Sequence, residues 1–348
     1  MKRKYYLKYL RTISCILVVF VHVSALFFST TTVRSFDWNI VNLYDCAGIV
    51  GVPLFVMISG ALHLDSDYEL TGKRLFKKTL RLFVIFYLWT LIGNIVYMIQ
   101  LEQPITLSLI KNEVFLRTLK RYYMSHLWFL PMLITLYIIT PILRQVVRNR
   151  QVTKYLLILL FVLEIAIPTA LKFTFPYKWA LAGFYEFHTF SLASPYLFYY
   201  ILGHYIDTYM PEITPRQHKV TVALGIVFFI LQVSACSIDS WFNNVPSGIL
   251  NEPFALTMVP ICISIFIVAK KGTANRIPGR LLTLLSTYSL GIYLLHLLVI
   301  WQLDFFCITT INIPLIIRIP LLVFICVIIC IPINYLIGKI PKINRYIQ

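Results

Sequence analysis

Long apolar runs alternate with short polar stretches along the whole 348-residue chain. Ten such runs stand out, over 8–28, 46–64, 80–100, 127–144, 154–172, 191–209, 219–237, 253–269, 282–302 and 315–337. Each is long enough to cross a hydrocarbon core of about 30 Å as a helix. Pro260 interrupts the eighth, and Ser286-Thr287-Tyr288-Ser289 interrupts the ninth. Such breaks are tolerated at membrane depth where protein or a cavity covers the backbone. The pattern predicts an all-α integral membrane protein, a polytopic bundle of about ten transmembrane helices.

The polar stretches orient the bundle. With the N-terminus in the cytoplasm, the inside segments hold 23 of the 31 lysines and arginines. They include Lys2, Arg3, Lys4, Lys8 and Arg11 at the start, and Lys73, Arg74, Lys77, Lys78 and Arg81 after the second run. The outside holds 8. Basic residues collect in cytoplasmic loops, so this asymmetry predicts that both termini are cytoplasmic. The basic N-terminus ahead of the first run reads as a retained signal anchor, because the run is long and lacks a small-residue cleavage site. One outer stretch departs from the charge rule. Residues 102–125 carry Lys111, Arg117, Lys120 and Arg121 with apolar residues at nearly helical spacing. They read as an amphipathic helix on the outer surface, holding either lipid headgroups or an anionic acceptor. Trp89, Trp128 and Trp241 fall near run ends, as interface anchors do.

Composition agrees. Hydrophobic residues make up 59% and charged residues 13%, and the mean hydropathy is +0.79. A soluble domain does not carry that balance. The net charge of +17 would suggest nucleic acid in a soluble protein; here the positive-inside bias accounts for it, and no nucleic-acid module is present. Seven cysteines form no C-x-x-C pair, so neither a metal site nor a disulfide framework is expected.

Ionisable side chains inside a span are functional candidates, because burying one costs several kcal/mol unless it is solvated or paired. Arg11, His22, Glu164 and His296 qualify, with His126 and His204 nearer span ends. Arg11 and His22 are eleven residues apart, which returns a helix to within about 20° of the same face and separates them by about 16 Å along the axis. A cation at the cytoplasmic door and a titratable base deep inside would suit a site that handles an anionic donor. Arg11 as a membrane anchor and His22 as a hydrogen-bonded core histidine is the plainer alternative. Glu164 pairs with a base or bridges helices; His296 lines a cavity or bonds between helices. His63 sits near a cytoplasmic span end and is expected to be wetted. His188 has no evident partner. The run Gly51-Val52-Pro53-Leu54-Phe55, followed by Ser59-Gly60, predicts a closely packed or broken helix, or a backbone approached by a ligand. The basic cluster over 73–81 attracts either anionic lipid or a polyphosphate donor.

At these residues the chain resembles the membrane acyltransferase-3 family of bacterial acyl-CoA-dependent O-acyltransferases. The family's arginine, ten residues and histidine are matched by Arg11 and His22. Gly51 to Phe55 with Ser59-Gly60, Lys78 with Arg81, His126-Leu127-Trp128-Phe129-Leu130-Pro131 on to Tyr137 and Pro141, and Ser289-Leu290-Gly291-Ile292-Tyr293-Leu294-Leu295-His296 follow in order. The similarity covers roughly residues 7–300. It implies a single transmembrane acyltransferase domain over 1–348 in the bacterial cytoplasmic membrane. It implies transfer of an acyl group, usually acetyl, from cytoplasmic acyl-CoA to a hydroxyl of a cell-surface or lipid-linked glycan. Acyl-CoA enters as co-substrate, with no bound cofactor expected. On that footing His22 is the general base, acting directly or through an acyl-enzyme; an imidazole titrates near neutrality and suits the task. Arg11, Lys78 and Arg81 hold the CoA phosphates. Ser59 and Ser289 line the acyl path, and His296 and Trp128 contact substrate. A glycan-precursor transporter or flippase is the alternative, although the chain lacks the repeat symmetry usual in transporters. A membrane anchor or assembly subunit without a site would leave the Arg11–His22 register to chance.

Overall fold

The computed structural model describes residues 4–65, 71–100, 124–187, 195–273 and 276–340. The expected surface helix over 102–125 and His188 therefore lie outside the described residues, apart from the last two positions of that helix. Twelve helices are followed here: α1 (Tyr5–Phe28), α2 (Phe36–Gly48), α3 (Gly51–His63), α4 (Gly72–Gln100), α5 (Phe129–Val146), α6 (Arg150–Ala170), α7 (Lys178–Phe187), α8 (Tyr196–Thr208), α9 (Pro215–Asn243), α10 (Met258–Thr273), α11 (Arg280–Phe305) and α12 (Leu315–Gly338). A π turn over Val162–Ala166 interrupts α6. A 3₁₀ turn, Ser125–Trp128, leads into α5. No strand occurs among the described residues.

The protein is an all-helical membrane bundle. Eight stretches among the described residues are long and apolar enough to cross a membrane. The remaining two expected spans, 191–209 and 253–269, are the shorter helices α8 and α10. At 13 and 16 residues they reach about 20 and 24 Å. The second begins late because Pro253 and the turns around it replace its first helical residues. That irregular backbone is satisfied by its neighbours: Tyr199 Oη donates to Pro253 O at 2.6 Å, Thr169 Oγ1 donates to Phe254 O at 3.3 Å, and the Leu256 amide donates to Thr169 Oγ1 at 3.0 Å. Non-helical backbone in a membrane protein survives when its polar groups are covered in this way.

The glycine-rich second run packs closely. A Cβ at Gly60 would sit 1.7 Å from Tyr200 O, and one at Gly203 would sit 2.0 Å from Met57 O. The α3 and α8 backbones therefore touch, each through the other's glycine. Nearly all of α8 is buried, including Tyr199 and Tyr200. Elsewhere in the bundle, Gly291 admits the Asn334 side chain, whose Oδ1 would be 1.6 Å from an added Cβ. This fixes α11 against α12.

The end of the bundle where α1 begins is tied by Lys4, whose ammonium bonds Asp65 at 2.6 Å and also Asp207. Tyr6 Oη donates to the same Asp207. Of the tryptophans expected at interfaces, Trp241 is exposed near the end of α9. Trp89 instead is buried in the core, packed on α4's inner face.

Candidate functional site

Five helical segments enclose a cavity of about 300 Å³. From α1 come Arg11, Val18 and His22, seven and then four residues apart, one stripe of a 3.6-residue helix. From α3 come Val52, Phe55 and Ser59, on the face away from the glycine joint with α8. Helix α4 supplies Lys78, Arg81 and Leu82. The 3₁₀ turn and α5 supply His126, Trp128, Phe129, Leu133 and Tyr137, and α11 adds Ser286, Thr287, Ser289, Leu290 and Tyr293. Seven of the eight site residues expected from the sequence thus share one wall: Arg11, His22, Ser59, Lys78, Arg81, Trp128 and Ser289.

Among the described residues three cations face this space and no carboxylate does. Lys78 donates to His63 Nε2 and lies 4.5 Å over the Tyr137 ring. His63 Nδ1 lies 2.7 Å from Ser59 O, so that nitrogen carries the proton and Nε2 is free to accept from Lys78. His63 is accordingly buried rather than wetted, because its partners are in the bundle. Arg144 donates to the carbonyls of His63 and Asp65 at 2.7 and 2.8 Å and holds that corner. Arg81 Nε is buried without a hydrogen-bond partner.

Deeper along the α1 stripe, His22 meets two further imidazoles. Its ring centroid is 6.0 Å from that of His126 and 5.0 Å from that of His296, and the latter two are 4.7 Å apart. Neither ring nitrogen of His126 has a partner, although its carbonyl accepts from Tyr293 Oη at 2.6 Å. His296 is fully buried and stands behind the other two rings, off the cavity wall. Ser289 Oγ donates to Ser286 O at 3.0 Å. Trp128 packs 5.3 Å from Tyr196 and closes the cavity on the side of α8.

The acyltransferase-3 family model, an acyltransferase domain, matches residues 4–335. The chain belongs to the acyltransferase-3 family. No curated protein and no solved structure matches it. It is a multi-pass membrane acyltransferase, which requires an acyl donor and an acceptor.

Some residues of this acyltransferase's cavity were not singled out from sequence as site residues. His126 is placed there only near a span end, yet it is 3% exposed and on the wall. His63 acts on Lys78 across fifteen residues and two helices. Asp45 falls one position outside the expected second span, but α2 extends back to Phe36 and carries it into the bundle. There it accepts from Ser24 at 2.8 Å and from Asn251. Ser24 is two residues past His22 and on another face of α1, so Asp45 belongs to the packing of α1, α2 and the segment after α9 rather than to the cavity. Glu164 lies in the π turn of α6 and likewise does not line the cavity.

Proposed function

We propose that this acyltransferase moves an acyl group, acetyl in the first instance, from cytoplasmic acyl-CoA to a hydroxyl of a cell-surface or lipid-linked glycan at the bacterial cytoplasmic membrane. The observation that carries the reading is the polarity of the cavity along α1. Arg11, Lys78 and Arg81 gather with no carboxylate on the wall among the described residues, and His22 lies about 16 Å further along the α1 stripe from Arg11. Acyl-CoA has the matching shape: phosphates at one end, the thioester at the other, and a long arm between. Guanidinium groups and an ammonium bind phosphate through charge-assisted bonds. The basic end of the bundle is the one that the positive-inside bias assigns to the cytoplasm, where acyl-CoA is found.

In the reaction, His22 takes the proton of the acceptor hydroxyl as its oxygen attacks the thioester carbonyl. The C–O bond forms, the C–S bond breaks, and the departing thiolate recovers the proton from His22. Ser59 and Ser289, with Phe55 and Val52, shape the passage for the acyl chain and pantetheine arm, and Trp128 bounds it. The test is mass spectrometry of surface glycans from strains carrying His22→Ala or Arg11→Ala at normal protein levels. Loss of acetylation in both, with acetyl-CoA binding retained by His22→Ala and weakened by Arg11→Ala, is the expected result. Full acetylation in the His22→Ala strain refutes the base. Failure of the purified wild-type protein to bind acetyl-CoA refutes the donor.

A further inference from the structure

An imidazole that works as a general base needs its second nitrogen held, so that the ring presents its lone pair to the substrate and the cation formed on proton uptake is stabilised. A carboxylate often does this. Among the described residues no carboxylate lines this cavity. One placed there would also compete with the donor's phosphates for Arg11, Lys78 and Arg81.

His296 offers a neutral substitute. Its Nδ1 lies 3.1 Å from Ile292 O, one turn back on α11. A carbonyl only accepts, so Nδ1 carries the proton and the neutral ring leaves Nε2 as a bare acceptor. That Nε2 is buried, without a hydrogen-bond partner, on a side chain that is 0% exposed. Leaving a buried acceptor unmet costs about 1–3 kcal/mol. The rings within reach are His22 at 5.0 Å, His126 at 4.7 Å and Tyr293 at 6.0 Å. Tyr293 already donates to the His126 carbonyl. Of the two imidazoles, His22 is the one on the α1 stripe, and in the proposed reaction it becomes a cation. A charged N–H donates roughly twice as strongly as a neutral one. A bond from His22 to His296 made as the proton arrives would act in the transition state, which is when an interaction lowers a barrier. The site is also held rigidly: Gly291 is locked on Asn334, and Cys326 Sγ lies 3.7 Å from His296 O.

We infer that His296 is the positioning residue of the catalytic base, accepting the ring N–H of His22 through Nε2 and holding its imidazolium during transfer. This rests on acyl transfer with His22 as base. No atom of His296 changes bonding: the proton passes from acceptor hydroxyl to His22 and on to the leaving thiolate.

The experiment uses membranes containing the full chain and its endogenous acceptor, with radiolabelled acetyl-CoA as donor and label in glycan as the rate. His296→Phe keeps a ring and removes the acceptor. It should lower kcat about a hundredfold with KM for acetyl-CoA changed by no more than about twofold. His296→Gln returns an acceptor near the Nε2 position and should recover about tenfold of that loss. Should the phenylalanine variant not accumulate, His296→Leu carries the same comparison. In a His126→Phe background the His296→Phe step should keep its full effect. Equal loss in the glutamine and phenylalanine variants, a change confined to KM, or an effect that vanishes when His126 is replaced overturns the assignment. An active His22→Ala enzyme would instead refute the base itself, and an inactive wild type the acyl transfer.

Discussion

Replacing Arg81 with methionine separates binding from folding with opposite signs. The substitution keeps an apolar stem and removes one of the three cations that, among the described residues, line the cavity with no carboxylate beside them. In the empty protein those cations repel one another, and Arg81 Nε is buried without a partner. Removing the group therefore relieves repulsion and an unmet donor, so the unliganded protein should be as stable as wild type or slightly more so. With acyl-CoA bound the sign reverses. At about 4 Å and an effective dielectric of about 20, one charge pair is worth about 4 kcal/mol before desolvation. The net value of a charge-assisted bond is about 1.5–3 kcal/mol. Arg81→Met should thus weaken acetyl-CoA binding about 10- to 100-fold. Acetyl-pantetheine, which lacks the nucleotide phosphates, should bind both proteins equally. Calorimetry on detergent-solubilised protein measures both ligands, and thermal unfolding of the same samples measures stability. Equal weakening of the two ligands would refute the phosphate assignment. So would a large fall in unliganded stability with acetyl-CoA affinity unchanged.

Two further outcomes concern the bundle. Gly60→Ala places a Cβ 1.7 Å from Tyr200 O, and parting α3 from α8 should cost about 3 kcal/mol, read as a lower unfolding temperature; Gly72→Ala, with open space around it, is the control and should be neutral. Lys4→Met removes the tie to Asp65 and Asp207 and should cost about 2 kcal/mol at neutral pH. Burial alone would lower the Lys4 pKa, but the bonds and charges of Asp207 and Asp65 together raise it above 10.5. The stabilisation is therefore complete below 10.5 and fades as pH climbs through the raised folded value. The gap between wild type and Lys4→Met in thermal unfolding should close in that alkaline range; a gap that persists there would place the effect in packing instead.

What could be read from sequence is what the helix repeat and the bilayer impose. Apolar run length gave the class of fold, and the eleven-residue step from Arg11 to His22 put both on one wall. The family's ordered motifs supplied Lys78, Arg81, Ser59, Trp128 and Ser289 for the same cavity. What escaped depends on contacts between distant segments. His126 and His296 are separated by 170 positions, and only the fold brings their rings to 4.7 Å. His63 looks solvent-facing at a span end until Lys78 is seen to bond it. Trp89 has the spacing of an interface anchor, but α4 turns it inward. The two short helices were drawn as full spans because hydropathy does not register where side chains, such as Tyr199 and Thr169, relieve an irregular backbone.

Helix α3 has one more consequence, for altering this enzyme. Its glycine face carries the joint with α8, and its other face presents Val52, Phe55 and Ser59 to the cavity. Substitutions on the two faces share no partners and should combine nearly independently. The cavity can be reshaped at Val52 and Phe55 while the joint at Gly60 and Gly203 stays untouched. Cavity shape and helix packing, though encoded on a single thirteen-residue helix, are thereby open to separate selection.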